Sequence, residues 1–185
     1  MRLHTHIAGW VICWALAATA GATTLVKLSV DQMVAQSTDI VRGRVSGCQA
    51  VQRGAAIVTE CVVRVSERLK GQNAGTMAIA IPGGTVRGVR GRNIRQVIAG
   101  APALNEKQEY LLFLWTGRSG VTQLIGLSQG ALEISVSGGV QVAQRAPIAT
   151  AGFEDGQGHE VDDDGVKVSL DSIRQRARRP AEGKR

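Results

Sequence analysis

Along most of this chain, apolar positions alternate with polar ones. From Asp39 to Val51, and again from Ala56 to Leu69, Val and Ile are interleaved with polar residues. That period of two predicts half-buried strands. Thr76 to Ile81 (TMAIAI) reads as a third strand, stopped by Pro82-Gly83-Gly84. Residues 85–95 are rich in Gly and Arg and read as a loop, with a short strand over Arg95 to Ile98 before Gly100-Ala101-Pro102. Tyr110 to Trp115 (YLLFLW) is apolar throughout, the pattern of a strand buried on both faces. Val121 to Leu127 and Gly130 to Val136 follow, and Val140 to Gln144 pairs back across Ser137-Gly138-Gly139.

A helical period is expected in two places. Ser29 to Ser37 carries Val30, Met33 and Val34 at helical spacing, with Ser29 as cap and Asp31 and Gln32 in the first turn. Val168 to Arg179 sets Leu170, Ile173 and Ala177 on one face and Arg174 and Arg178 on another. Its arginines sit near the negative pole of the helix dipole. Short strands with Gly-marked turns and no helices between them predict a mainly β chain: a small antiparallel β-barrel with an N-terminal and a C-terminal helix. Gly43 lies mid-strand in VRGRV, where a missing side chain lets a long first strand bend and serve two sheets.

The N-terminus breaks the alternation. Met1-Arg2 precedes an apolar run from Ile7 to Ala18, and Ala20-Gly21-Ala22 supplies small residues after it. This order predicts a secretory signal peptide over residues 1–22, cleaved after Ala22 or after Ala20, and hence a secreted or periplasmic protein. The run falls short of the roughly twenty residues that a membrane-spanning helix needs. Cys13, His4, His6, Trp10 and Trp14 would leave with the leader. The remainder divides into a barrel over 23–149, an acidic Gly-rich loop over 150–165, and a helix with a basic tail over 166–185.

Charge then singles out one stretch. The formal net charge is +7, and it is uneven. Arg87, Arg90, Arg92 and Arg95 fall close together without an acid, while residues 154–164 hold Glu154, Asp155, Glu160, Asp162, Asp163 and Asp164 without a base. Guanidiniums gathered on a loop are suited to clamping an acidic partner, a protein or another acidic macromolecule. Single-stranded nucleic acid would also need aromatic platforms. The processed chain offers only Tyr110, Phe113, Trp115 and Phe153, three of them in the YLLFLW strand, so nucleic acid is not expected.

Cys48 and Cys61 flank a hairpin turn at Gly54-Ala55. Counting outward from Arg53 opposite Ala56 sets the two cysteines opposite each other at a rung where Cα atoms approach closely. In that strict register Val63 and Val65 share a face with Arg42 and Arg44. One extra residue, a bulge at Gly47, brings Val41 and Val45 beside them instead. The pair is either a disulfide or two buried free thiols. Neither cysteine is expected to be catalytic, because the processed chain has a single histidine, His159, far along the sequence. Asp162-Asp163-Asp164-Gly165 is similar to part of a calcium loop. It lacks the alternating acids and the closing glutamate, so a solvated acidic turn is expected and no metal or cofactor.

The order SVDQMVAQSTDIVRGRVSGC, VVRVSERLKG, AIAIPGG, ALNEKQEYLLFLW, LIGLSQGALEI resembles exported bacterial proteins of unknown function. It is also similar to the netrin-like barrel of the tissue inhibitors of metalloproteinases, a relative of the OB-fold. The likeness spans residues 29–134 and implies the same barrel. Those inhibitors share a mature N-terminal cysteine that grips the catalytic zinc. The expected start here, Thr23 or Gly21, offers none, so that mechanism is not implied. The expectation is a non-catalytic binding protein with Arg87–Arg95 as its contact element. An inhibitor or accessory factor of an exported protease is the alternative, by fold analogy, and a hydrolase ranks last.

Overall fold

The structure, a computed structural model, describes residues 24–72 and 75–179. The expected leader and the tail from Pro180 lie outside the described residues. The elements in chain order are β1 (Thr24–Val26), α1 (Val30–Gln36), β2 (Asp39–Arg53), β3 (Ala56–Lys70), β4 (Thr76–Pro82), β5 (Gly84–Arg87), β6 (Asn93–Gln96), β7 (Glu109–Thr116), β8 (Thr122–Leu124), β9 (Ala131–Ser137), β10 (Val140–Arg145), β11 (Gly152–Glu154), β12 (Val166–Ser169) and α2 (Leu170–Arg178). The described residues are mainly β with two helices, as the alternation predicts.

Eight strands form one sheet in the order β12-β10-β9-β7-β2-β3-β4-β8, and β8 also pairs with β7. Strands β2, β3, β4, β8 and β7 therefore join into a ring, with β9, β10 and β12 extending from it. The join is narrow. One rung, Ala80 with Gln123, links β4 to β8 in parallel, while β8 meets β7 antiparallel from Leu114–Leu124 to Thr116–Thr122.

Two apolar layers share the central strand. Inside the ring, Val41, Val45, Val63, Ile79, Tyr110, Leu112 and Leu114 pack with Cys61. On the outer face, Met33, Ile40, Leu111, Phe113, Leu132, Leu170 and Ile173 join the two helices to the sheet. Alternation on β7 explains this division, since successive side chains leave opposite faces of a strand. Tyr110 through Leu114 are all buried, as expected of YLLFLW. Trp115 is the correction: at the strand's end it is 49% exposed.

Both helices begin where the sequence places a cap. Ser29 Oγ accepts from the Gln32 N–H at 3.2 Å, and Gln32 Oε1 accepts from the Ser29 N–H at 2.8 Å, closing a capping box. On α2, Ser169 Oγ accepts from the Ser172 N–H at 3.2 Å. Helix α2 starts later than the pattern suggests, because Val166 and Val168 alternate around Lys167 and pair with β10 as β12. The strand expected over Val121–Leu127 is cut to three residues. Gly126 and Leu127 turn the chain through left-handed backbone, with φ of 58° and 57°. A 3-10 turn, Leu127–Gly130, follows.

Candidate functional site

The arginine-rich segment is a hairpin, not a loop. Thr85, Val86 and Ile94 supply β-branched positions, and the rungs run Gly84–Gln96, Thr85–Arg95, Val86–Ile94 and Arg87–Asn93. Glycine here marks the turn rather than excluding the strands. The turn spans Gly88 to Arg92, with the Gly88 N–H donating to the Arg92 carbonyl at 2.7 Å, and Arg90 and Gly91 take φ of 65° and 72°.

Three hydrogen bonds mount this hairpin on the far end of the β2–β3 ribbon. The Gly83 N–H donates to the Ile57 carbonyl at 2.8 Å, the Ile57 N–H donates to Gln96 Oε1 at 2.6 Å, and Thr59 Oγ1 donates to the Gly83 carbonyl at 2.7 Å. Gly84 lets the two layers touch. A Cβ there would lie 2.5 Å from Thr59 Oγ1 and 2.9 Å from the Ala50 Cβ.

Arg87, Arg90, Arg92 and Arg95 are all exposed. Arg87 and Arg95 occupy diagonal positions on one face of the hairpin, where Cβ atoms stand roughly 7–8 Å apart. Among the described residues no carboxylate pairs with any of the four. Arg42, Arg53, Arg68, Arg145, Arg174 and Arg176, by contrast, all meet an acid. The cause lies in the sequence: no Asp or Glu occurs between Glu67 and Glu106. The hairpin thus holds like charges together with nothing of its own to neutralise them.

Cys48 and Cys61 are joined, with Cα atoms 4.1 Å apart. The rung between them follows in unbroken register from Arg53 opposite Ala56 at the turn, and just beyond it β2 carries an extra residue, Ser46, between Gly47 opposite Val62 and Val45 opposite Val63. This is the bulge that the apolar pattern requires, and Val41, Val45, Val63 and Val65 all join the ring's interior. The disulfide also lines an open cleft of about 400 Å³ that runs under the hairpin past Arg95, Gln96, Val97 and Leu104.

The acidic segment is only partly a solvated turn. Glu160, Asp162 and Asp164 are exposed. Asp155 accepts from the Gln157 and His159 N–H groups, at 2.7 and 3.0 Å, and stands 3.1 Å from His159 Nδ1. The bond from the His159 N–H leads the causes that hold its carboxyl below the usual range. Asp163 departs from the expectation. Its side chain is 3% exposed and takes Arg145 Nη1 at 2.5 Å, Arg145 Nη2 at 3.0 Å and the Ile148 N–H at 2.8 Å. Burial pushes its carboxyl up, but the Arg145 guanidinium and these N–H donors outweigh that and lower it. Asp163 therefore anchors the loop to β10. Among the described residues no three His, Cys, Asp or Glu side chains converge as a metal-ligand group.

Two further hollows carry no obvious chemistry. A cleft of about 620 Å³ lies between residues 102–104 and β9, β10 and β12, with Tyr110, Glu133 and Lys167 on its walls. Its Ser128 hydroxyl donates to the Gly100 carbonyl at 2.5 Å, and its Tyr110 hydroxyl, raised in pKa by burial, accepts from the Asn105 N–H at 3.0 Å. A groove of about 490 Å³ on the outer face of β3 and β4 is lined by Val58, Ala78, Ala80, Pro82 and Val121. No family model and no curated protein sequence matches this chain.

Proposed function

We propose that this is an exported, non-catalytic binding protein that takes an acidic macromolecule on the Arg87–Arg95 hairpin, and that its strand ring is a small barrel of OB or netrin-like type. One observation carries the binding reading. Four exposed guanidiniums are mounted on a braced hairpin with no carboxylate of the described chain beside them. Packing like charges together costs stability unless an outside anion relieves it. The fold reading is supported by five strands that rejoin through β8, which suits a small, partly open five-stranded barrel.

The test is retention of the protein on an immobilised polyanion, dextran sulfate, across a salt series. Binding is expected to weaken steeply as salt screens the contacts. Arg90→Glu/Arg92→Glu is expected to reduce it by about tenfold or more, since two attractive charges become repulsive. Retention that ignores both salt and the double variant would refute the reading. Export is tested separately, by fractionating cells and sequencing the protein's N-terminus. A start at Thr23 or Gly21 is expected outside the cytoplasm.

A further inference from the structure

The hairpin that carries the four arginines also leaves one strand edge unused. Gly88 and Arg92 form a hydrogen-bonded rung. Rungs of an antiparallel pair alternate, so Val86–Ile94 and Gly84–Gln96 are hydrogen-bonded too, and Arg87–Asn93 and Thr85–Arg95 are not. The N–H and C=O groups of Asn93 and Arg95 consequently point away from β5. Among the described residues strand β6 has no second neighbour, and no hydrogen bond engages those two N–H groups. Most of the edge is exposed: Asn93 and Arg95 are exposed, Ile94 is 47% exposed and Val97, just past the strand, 71%, while Gln96 is half-buried.

We propose that this edge of β6 takes up an extended acidic polypeptide segment as a third strand of the β5–β6 sheet. The inference rests on the hairpin being the binding element and names its ligand and mode. An unprotected edge is a template for another chain, and proteins usually blunt it with lysine, proline or a bulge. The strand is short and carries one charge, Arg95, but Asn93 to Val97 contains neither lysine nor proline, and its pairing with β5 is regular. The outward main-chain groups would supply the binding energy of an added strand.

The flanking guanidiniums would select for carboxylates. All four cations are arginine, whose planar fork meets a carboxylate through two parallel N–H···O bonds; lysine offers only a point charge. Arg87 and Arg95 share a face, so an entering strand would place acids at alternate positions on that side. Val97 offers an aliphatic contact next to them.

The experiment uses the whole protein and a capped peptide of alternating Glu and Val, three of each. Two partners carry backbone N-methyl groups, one on every Glu and the other on every Val. Only one set of amides can face β6, so one methylated peptide should lose about tenfold or more in affinity while the other binds like the parent. Arg87→Glu/Arg95→Glu should abolish binding of the parent peptide. Equal behaviour of the two methylated peptides, whether both bind or both fail, overturns strand addition. A protein that binds dextran sulfate but not the parent peptide overturns this inference and leaves the hairpin reading standing. Failure with both probes overturns the two together.

Discussion

Gln129 does with a side chain what a neighbouring strand does with its backbone. It is 1% exposed, its Oε1 accepts from the Leu28 N–H at 2.8 Å, and its Nε2 donates to the Val26 carbonyl at 3.0 Å. It thereby closes the segment that follows β1 against the sheet. Gln129→Leu would leave a donor and an acceptor unpaired in an apolar setting, costing about 1–3 kcal/mol. The Leu28 amide should then lose hydrogen-exchange protection ahead of the strands of the ring. Protection unchanged at Leu28 would mean that another group holds it. Gly43 is the opposite case, a residue defined by what it lacks. A Cβ there would stand 2.7 Å from both the Arg64 carbonyl oxygen and Val63 Cγ1. Gly43→Ala should therefore cost about 1–3 kcal/mol in urea unfolding, as overpacking does. Its place inside an alternating strand marks Gly43 in the sequence as a bend, but the close approach of β3 shows only in the folded chain. Gln129 was not legible, because its partners lie 101 and 103 residues earlier. Asp163 was read as one acid among many for the same reason. Only the folded chain brings Arg145 to it.

Elements were legible where pattern and turn chemistry agree. The β2–β3 ribbon was visible because Gly54-Ala55, the two cysteines and the valines admit a common register with one bulge at Ser46–Gly47. Two further slips, at Ile40/Val41 and Arg42/Gly43, were not, because each shifts β3 by one residue without changing which valines face inward. Strands β1 and β11 are three residues each, too short for any period, and exist through their parallel pairing. The disulfide spans a short loop, so Cys48→Ala/Cys61→Ala should cost about 3 kcal/mol in the chain-entropy model. A loss near zero would mean that the ribbon is already fixed by its ladder.

Helix α2 docks through charge as well as apolar area, and that coupling sets a pH dependence. Arg174 Nε and Nη2 each meet a Glu67 oxygen at 2.7 Å, and Arg42 Nε and Nη2 meet Glu109 at 3.0 and 2.9 Å. The bond from Arg174 holds the Glu67 carboxyl below the ordinary glutamate value, and the bond from Arg42 does the same for Glu109. Carboxyls depressed in the folded state contribute stability that is present above the unfolded pKa and lost as pH falls through the folded one. Urea stability should therefore fall between about pH 5 and about pH 3, where unfolded glutamates titrate first. Glu109→Gln should lower stability by about 1 kcal/mol at neutral pH and make this acid limb shallower. An acid limb of unchanged slope in that variant would assign the loss to other carboxylates.

At the scale of the molecule, β7 is the wall between two interiors, and its place there forbids them to melt apart. Leu112 and Leu114 fill the ring, while Leu111 and Phe113 face the helices. Neither layer can open without exposing one face of this strand, so ring and helices should unfold as one unit. Trp115, the single tryptophan among the described residues, shares the outer face with Leu111 and Phe113 but sits opposite Gln123 of β8, so it reports on the β7–β8 join that closes the ring. The far-UV helical signal reports on α1 and α2. In the chain without residues 1–22 the two transitions should coincide in urea, the signature of a cooperative two-state change. Leu112→Ala should destabilise by about 2–5 kcal/mol and Phe113→Ala by about 3–5 kcal/mol. Each is a large share of the roughly 5–15 kcal/mol that such a domain commands. Although the two side chains face opposite interiors, both variants should shift both signals together. If Phe113→Ala moved the helical transition alone, the helix layer would be an independent unit resting on a self-sufficient ring. The hairpin's anchors at Ile57 and Thr59 would then hold in its absence.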